Sequence, residues 1–329
     1  CWGRNDYGQA SKPTDLGPVN YIAAGQAHTC AITSSGNLRC WGSPGEDTIP
    51  ADLGLVSQVS TGYFYSCAIT SGGVLRCWGD NLYGKSDVPA DLGAVSQVSA
   101  RWQHTCAIAN GGVLRCWGDN FYGQSDVPAN LGAVGQVSVG ADHTCAITNG
   151  GVLRCWGDNF YGQSTVPTDL RPASQVSAGS GYTCAIFEGS LRCWGYNAYG
   201  QTIVPTDLGI VRQVSVGGGH TCAITNSSAL RCWGLNDEGQ TSIPANLGPV
   251  SQVSTGGAHT CTLTSSDTPR CWGRDTLGQA SIPRDPLVVR NNCARFVSDV
   301  NYPDGTVVSP GQVFEKRWQL QNCGTTNWN

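Results

Sequence analysis

Cysteine and histidine dominate the chemistry open to this chain of 329 residues, which has seventeen cysteines, five histidines and no methionine. Thiols can bind metal, exchange electrons or form disulfides, and imidazoles can ligate metal or carry protons. Spacing separates these uses. Cys30 and Cys40, Cys67 and Cys77, Cys106 and Cys116, Cys145 and Cys155, Cys222 and Cys232, and Cys261 and Cys271 are each ten positions apart. Cys184 and Cys193 are nine apart. Each pair flanks a short turn, as in "CAITSGGVLRC" at 67–77. Zinc needs four ligands at one point, and each such segment supplies two thiolates and at most one nearby histidine. A CxxC redox pair is absent. Directly opposed residues of a hairpin lie about 5 Å apart, within reach of a disulfide. The nine-residue pair supports this reading. Its missing residue falls in the turn "FEGS", which leaves opposed cysteines opposed, and a metal loop has no reason to compensate in that way. The seven pairs read as cross-strand disulfides, each contributing about 2–3 kcal/mol on the loop-entropy account. Of the remaining three, Cys293 and Cys323 are expected to pair with each other, and Cys1 is the odd thiol.

The histidines, His28, His104, His143, His220 and His259, occupy one repeat position, which Tyr65 and Tyr182 fill elsewhere. A ring of metal ligands is one reading, and a packing and hydrogen-bonding residue repeated by symmetry is the other. Packed sheets lie about 10 Å apart and zinc ligands about 2 Å from their ion, which favours packing. No serine stands in a nucleophile motif and no GxGxxG opens a helix. Aspartates recur in "DN" and "DLG" segments, where turn formation explains them. The expectation is a non-enzymatic protein with no metal and no cofactor.

The elements that carry these residues repeat. Trp-Gly preceded by Cys occurs eight times, at Trp2, Trp41, Trp78, Trp117, Trp156, Trp194, Trp233 and Trp272, with spacings of 37 to 39. "HTCAIT" alternates as a strand does, glycine-bearing turns supply positive φ, and "LRCWG" returns as the partner strand. Units of about forty residues made of short strands read as blades of a β-propeller, with "VPADLG" crossing from one blade to the next. Seven units span the first to the last motif, so the eighth CWG is one too many for a seven-bladed ring. Either the N-terminal strand takes a modified place or the chain is a cut piece of a longer one, and the second is favoured.

The composition agrees. The chain has 44 Gly, 16 Pro and 13% charged residues, which suits short strands and tight turns over long surface helices. With a net charge of −4 and scattered basic residues, nothing attracts a phosphate backbone, so no nucleic-acid partner is expected. No apolar run reaches membrane-spanning length. So many cysteines place the protein in an oxidising compartment, extracellular or at a cell surface.

"VSQVSTGGAHTC" at 250–261 followed by "RCWGRDTLGQ" at 270–279 resembles the signature of the regulator-of-chromosome-condensation repeat family, over about residues 1–284. The resemblance implies an all-β, seven-bladed propeller over residues 1–286. The compact, cysteine-bearing units look like secreted bacterial members, a group that includes a propeller-type β-lactamase inhibitory protein. After Pro286 the repeat stops. "FEKRWQLQNCGTTNW" at 314–328 resembles the start of a four-tryptophan immunoglobulin-like domain, so residues 287–329 are expected to form an incomplete immunoglobulin-like segment, truncated or completed by another chain.

Departures from the repeat point to function. The G-x-x-H turn is mostly small residues, but one unit has Tyr63-Phe64-Tyr65 and the next has Arg101-Trp102-Gln103. Tyr63, Phe64, Arg101 and Trp102, with Asp142 beside them, are expected to form a partner-binding patch, since Tyr, Trp and Arg are enriched at binding hot spots. Ordinary surface variation is the plain alternative. A second set, Tyr7, Leu82-Tyr83, Phe121-Tyr122, Phe160-Tyr161 and Tyr199, is near-periodic; its tyrosines are expected to pack between blades, with Leu82, Phe121 and Phe160 as a shallow apolar stripe. The leading function is an extracellular or cell-surface propeller that binds a protein or glycan through loops of one face. The alternatives are a structural subunit that self-assembles through residues 287–329, and a secreted enzyme inhibitor of the β-lactamase-inhibitor type.

Overall fold

A computed structural model of the chain describes residues 16–42, 48–170 and 172–275, together with the backbone of two strands, Ala294–Asp299 and Trp318–Asn322. The chain divides into two compact units, Cys1–Pro283 and Arg284–Asn329.

The first unit is a ring of seven three-stranded antiparallel sheets, each built from contiguous sequence. Blade 1 has strands Val19–Ala24, His28–Thr33 and Leu38–Gly42. Blades 2 to 7 repeat this pattern over residues 56–79, 95–118, 134–157, 173–195, 211–234 and 250–273. The seven-bladed propeller read from the spacing is the observed fold. The inner strand, "VSQVS" and its variants, lines a central channel. The middle strand is buried on both of its faces, because each blade packs between two others. Alternating hydropathy therefore gives its direction but not its burial.

Side chains stitch neighbouring inner strands together. Gln136 Oε1 accepts from Val176 N at 3.0 Å, and Gln136 Nε2 donates to Val176 O at 3.3 Å. Gln58, Gln97, Gln175, Gln213 and Gln252 make the same double bond to the next blade. Gln252 reaches Ile22, so this bond closes the ring between blade 7 and blade 1. In a strand each glutamine reads as a solvent-facing residue. In the ring it satisfies backbone groups that an inner edge strand would leave open. Blade 1 has Tyr21 at this position, whose hydroxyl bonds Gln58 instead.

Seven disulfides, one per blade, join the middle and outer strands at directly opposed positions, with Cα–Cα separations of 4.0–4.1 Å. The bonds are those expected from the spacing. Cys30 bonds Cys40, Cys67 bonds Cys77, Cys106 bonds Cys116, and Cys145 bonds Cys155. Cys184 bonds Cys193, Cys222 bonds Cys232, and Cys261 bonds Cys271. The two sulfurs of a bridge differ in setting. Every middle-strand cysteine is fully buried, whereas the outer-strand Cys77, Cys116, Cys155, Cys193, Cys232 and Cys271 are part-exposed and Cys40 is buried. Cys184 and Cys193 are opposed like the others. Their shorter connection becomes a two-residue turn of Glu188 and Gly189, both at positive φ, as a tight hairpin requires. Trp272 belongs to blade 7, where its indole donates to Gln240 O at 3.0 Å. Trp2 and the odd thiol Cys1 lie outside the described residues, as do Tyr7, Cys293 and Cys323. In the second unit the two described strands pair antiparallel, with Phe296 opposite Leu320.

Candidate functional face

Two families of loops meet on one face of the ring. The first is the G-x-x-H turn between inner and middle strands. The second leaves the outer strand after Trp-Gly. They are joined blade by blade: Asp80 N donates to Phe64 O at 2.7 Å, Asp119 N to Gln103 O at 2.9 Å, and Asp158 N to Asp142 O at 2.8 Å. Aromatic residues on either family therefore share a face.

The turn follows from crowding at the channel mouth. Its first residue is glycine in six blades. A Cβ at Gly217 would lie 2.6 Å from the Gly256 carbonyl oxygen of the next blade and 2.6 Å from His220 Cε1. Blade 3 alone has Arg101 there. Its inner strand runs one residue further, Val95–Arg101, and Arg101 pairs with His104 across a two-residue turn. The Arg101 side chain crosses the channel and donates to Val216 O at 2.8 Å and Ala178 O at 3.3 Å, on blades 6 and 5. Arg101 thus points into the channel and away from its expected neighbours.

Tyr63, Phe64 and Trp102 do come together. The Tyr63 ring lies 4.2 Å from Phe64 and 4.7 Å from Trp102, and all three are part-exposed. Phe64 and Trp102 hold φ of 58° and 39°, a region that costs a bulky residue about 1–2 kcal/mol. Asp142 sits part-buried in the corresponding turn of blade 4. Its carboxyl is pushed up by burial, and further by Asp158 and Asp119.

Lys85 is a further departure from the repeat, beside the aromatic cluster, that the sequence reading does not single out. It replaces a glutamine, seen at Gln124, Gln163, Gln201 and Gln240, that is buried in each of those blades. Its ammonium is fully buried, 2.6 Å from Asp80 Oδ2 and 3.1 Å from the Tyr63 carbonyl, and it also donates to Gln103 Oε1. The Tyr65 ring lies 5.0 Å away. Lys85 holds the Asp80 carboxyl below its usual range and anchors the turn that carries Tyr63 and Phe64. Its signal in the sequence is the single change from "YGQS" to "YGKS".

The second aromatic set lies on this face rather than between blades. Phe121 and Phe160 are each 82% exposed, and Leu82, Tyr83, Tyr122, Tyr161 and Tyr199 are about half exposed. Phe160, Tyr161, Tyr196 and Tyr199 form a chain of ring contacts at 4.7–5.9 Å. Two of the tyrosines lie against a glycine of the next blade's turn, Tyr161 over Gly181 and Tyr199 over Gly219.

The histidines are all fully buried, and each bonds a hydroxyl on the next blade. His143 Nε2 lies 2.8 Å from Thr183 Oγ1, and His259 Nε2 lies 2.9 Å from Thr29 Oγ1 across the ring closure. Burial lowers His28 to about 4 and the other four to about 3. Tyr65 and Tyr182 reach the next blade differently, donating to His104 O and His220 O at 2.6 Å.

The regulator of chromosome condensation (RCC1) repeat matches residues 19–46, 56–85, 95–124, 135–163 and 211–240, which are blades 1, 2, 3, 4 and 6. These matches make the ring an RCC1-repeat propeller. The Ig-like domain from next to BRCA1 gene matches residues 301–329. Among solved structures, the ectodomain of the receptor kinase CR4 from Physcomitrella patens is 24% identical, with 78% of this chain and 74% of that chain covered and a TM-score of 0.66. The CRINKLY WD40 ectodomain of the Arabidopsis thaliana receptor kinase ACR4 is 22% identical, covering 78% and 98%, with a TM-score of 0.63. Yeast RCC1 (Prp20), crystallised with Kap60, is 16% identical, covering 86% of each chain, with a TM-score of 0.62. At these identities the likeness is one of fold. Comparison with curated proteins finds no match.

Proposed function

We propose that the propeller is a non-enzymatic, extracellular binding module that holds a protein partner on the face bearing Tyr63, Phe64 and Trp102. The observation that carries this reading is backbone geometry. Phe64 and Trp102, in the turns of two adjacent blades, hold positive φ, whereas the turns of blades 1, 4, 6 and 7 use no positive φ and blade 5 meets it with Gly181, so the rings cost stability where the fold does not need them. Their cluster is part-exposed and lies on the face that carries the exposed rings of blades 2 to 5. Seven disulfides support an oxidising compartment. Two structural neighbours are receptor ectodomains, and another was crystallised with a protein partner. Residues 287–329 are read as part of an immunoglobulin-like domain, supported by the match over 301–329 and by the paired strands.

The test is to pan a phage-displayed random peptide library on the full chain and on its Y63A/F64A/W102A variant. Peptides selected on the parent should lose at least about tenfold in affinity for the variant, as expected where aromatic anchors carry the energy. Peptides that bind both equally would overturn the reading. A glycan array probed with the same two proteins separates the glycan alternative, which gains if sugars bind and peptides do not.

A further inference from the structure

The central channel holds one full charge. Among its described lining residues the ionisable side chains are Arg101 and Tyr21, and no Asp or Glu lines it. Six blades place glycine where Arg101 stands, so the ring closes without a guanidinium at that position. Arginine offers five N–H donors in a planar fork. Arg101 uses Nη1 alone, on the carbonyls of Ala178 and Val216. Nε and Nη2 form the edge that pairs side-on with a carboxylate, and among the described residues no acceptor occupies that edge. Carbonyl dipoles satisfy donors without cancelling charge, and an unpaired buried cation is costly. Burial, and after it the Arg101 charge, hold His143 and His220 at about 3, so the field of this cation reaches two further blades. Two hydroxyls stand beside the residues that hold Nη1. Ser138 Oγ accepts from Ala178 N at 2.9 Å and Ser177 Oγ from Val216 N at 3.1 Å, which leaves each hydroxyl its hydrogen to donate. Both serines line the channel, a cavity of about 210 Å³, several times the roughly 30 Å³ share of one water.

We infer that the Arg101 guanidinium, with the Ser138 and Ser177 hydroxyls beside it, receives a carboxylate in the channel. A planar anion with two oxygens matches the free guanidinium edge, supplies the missing charge and accepts from the hydroxyls. Trp102 lines the same channel and its ring touches Tyr63, which joins the site to the aromatic cluster. The carboxylate therefore belongs to a free small acid or to an acidic group of a bound protein. The inference goes beyond the reading above, because a free acid fills the channel with no peptide on the face.

The experiment is an NMR titration of the full, isotope-labelled chain, read at the Arg101 Nε–H and the Trp102 indole N–H. The probes are sodium acetate, its neutral isostere acetamide, and sodium chloride at matched ionic strength. Acetate should shift both resonances with half-saturation below about 0.1 M, tighter than an exposed ion pair reaches. Acetamide and chloride should not saturate. R101K keeps the charge and loses the fork, so acetate binding read at the indole should weaken by about tenfold. R101G should abolish it. An acetate shift that never saturates, equal saturation by chloride, or a shift that survives R101G would overturn the site. Peptides selected on the parent separate the two sources: displacement by acetate assigns the carboxylate to a partner, and simultaneous binding assigns it to a free acid. If acetate fails to bind while peptides still depend on Tyr63 and Trp102, the channel site falls and the binding reading stands. If acetate binds while peptides ignore Y63A/F64A/W102A, the reverse holds.

Discussion

The turns of blade 3 and blade 6 occupy the same place in the ring and are built in opposite ways. Blade 6 has Gly217-Gly218-Gly219-His220, and blade 3 has Arg101-Trp102-Gln103-His104. Both histidines bond the threonine of the next blade, at 3.0 and 2.8 Å. What the two turns share therefore belongs to folding: the buried imidazole and its hydroxyl partner. What differs answers to something else. The glycines of blade 6 let neighbouring loops close over the turn, with Gly218 N bonding carbonyls of blade 7. In blade 3, Arg101 spans the channel, Gln103 accepts from Lys85, and Trp102 stays part-exposed beside Tyr63.

Breaking the shared part should have the largest effect. Each histidine is neutral when folded, with a pKa of about 3 to 4, and binds a proton near pH 6.5 once unfolded. The unfolded state then holds more protons, so stability falls as pH drops from about 6.5 toward 4, by about 1.4 kcal/mol per pH unit for each histidine. Five histidines acting together should make the propeller acid-labile even with its disulfides intact. Blades 2 and 5 already hold tyrosine at this position behind the same glycine, so H143Y should fold. Urea unfolding measured from pH 4 to 7 should show a slope shallower by the share of one histidine in H143Y. An unchanged slope would mean that His143 does not titrate with unfolding.

Next comes the glycine itself. G217A forces a Cβ against the backbone carbonyl of Gly256 and the His220 ring, both at 2.6 Å, and neither is the free end of a flexible side chain. The expected loss is about 3 kcal/mol, the upper end for overpacking. R101G gives blade 3 the residue that six other blades carry. It should cost about 1 kcal/mol for the lost hydrogen bonds, because the freed carbonyls of Ala178 and Val216 face the channel. Equal losses in the two variants would show that Arg101 is a structural strut of the ring.

Much of this was legible in the residues alone. Alternation, turn glycines and the ten-residue cysteine spacing specify each hairpin locally, so strands, register and disulfides could be read within one unit. The Tyr63 and Trp102 cluster was legible because a broken repeat stands out against intact ones. Arg101 was not, because its acceptors lie 77 and 115 residues away and become neighbours only when the ring closes. Lys85 was hidden for a similar reason: a lysine in a polar loop looks solvated, and only the packing of the next blade buries it. The exposed tyrosines were misplaced because near-periodicity alone does not tell interface from surface.

The smallest change in stability should be the most informative about function. Phe64 and Trp102 hold positive φ, so glycine at either site relieves backbone strain of about 1 kcal/mol while giving up ring contacts of about 0.5–1.5 kcal/mol. The two terms nearly cancel, and F64G/W102G should unfold within about 1 kcal/mol of the parent, far from the roughly 3–5 kcal/mol of a deleted core aromatic. Peptide binding should nevertheless be lost. That separation is what distinguishes residues kept for a partner from residues kept for the fold, and it follows from the comparison with blade 6, whose glycine turn supports the same histidine bond. If the double variant instead loses about 3 kcal/mol or more, the cluster is part of the core of blades 2 and 3. The aromatic departures would then be a local packing solution around Lys85, and the face would need another argument for binding.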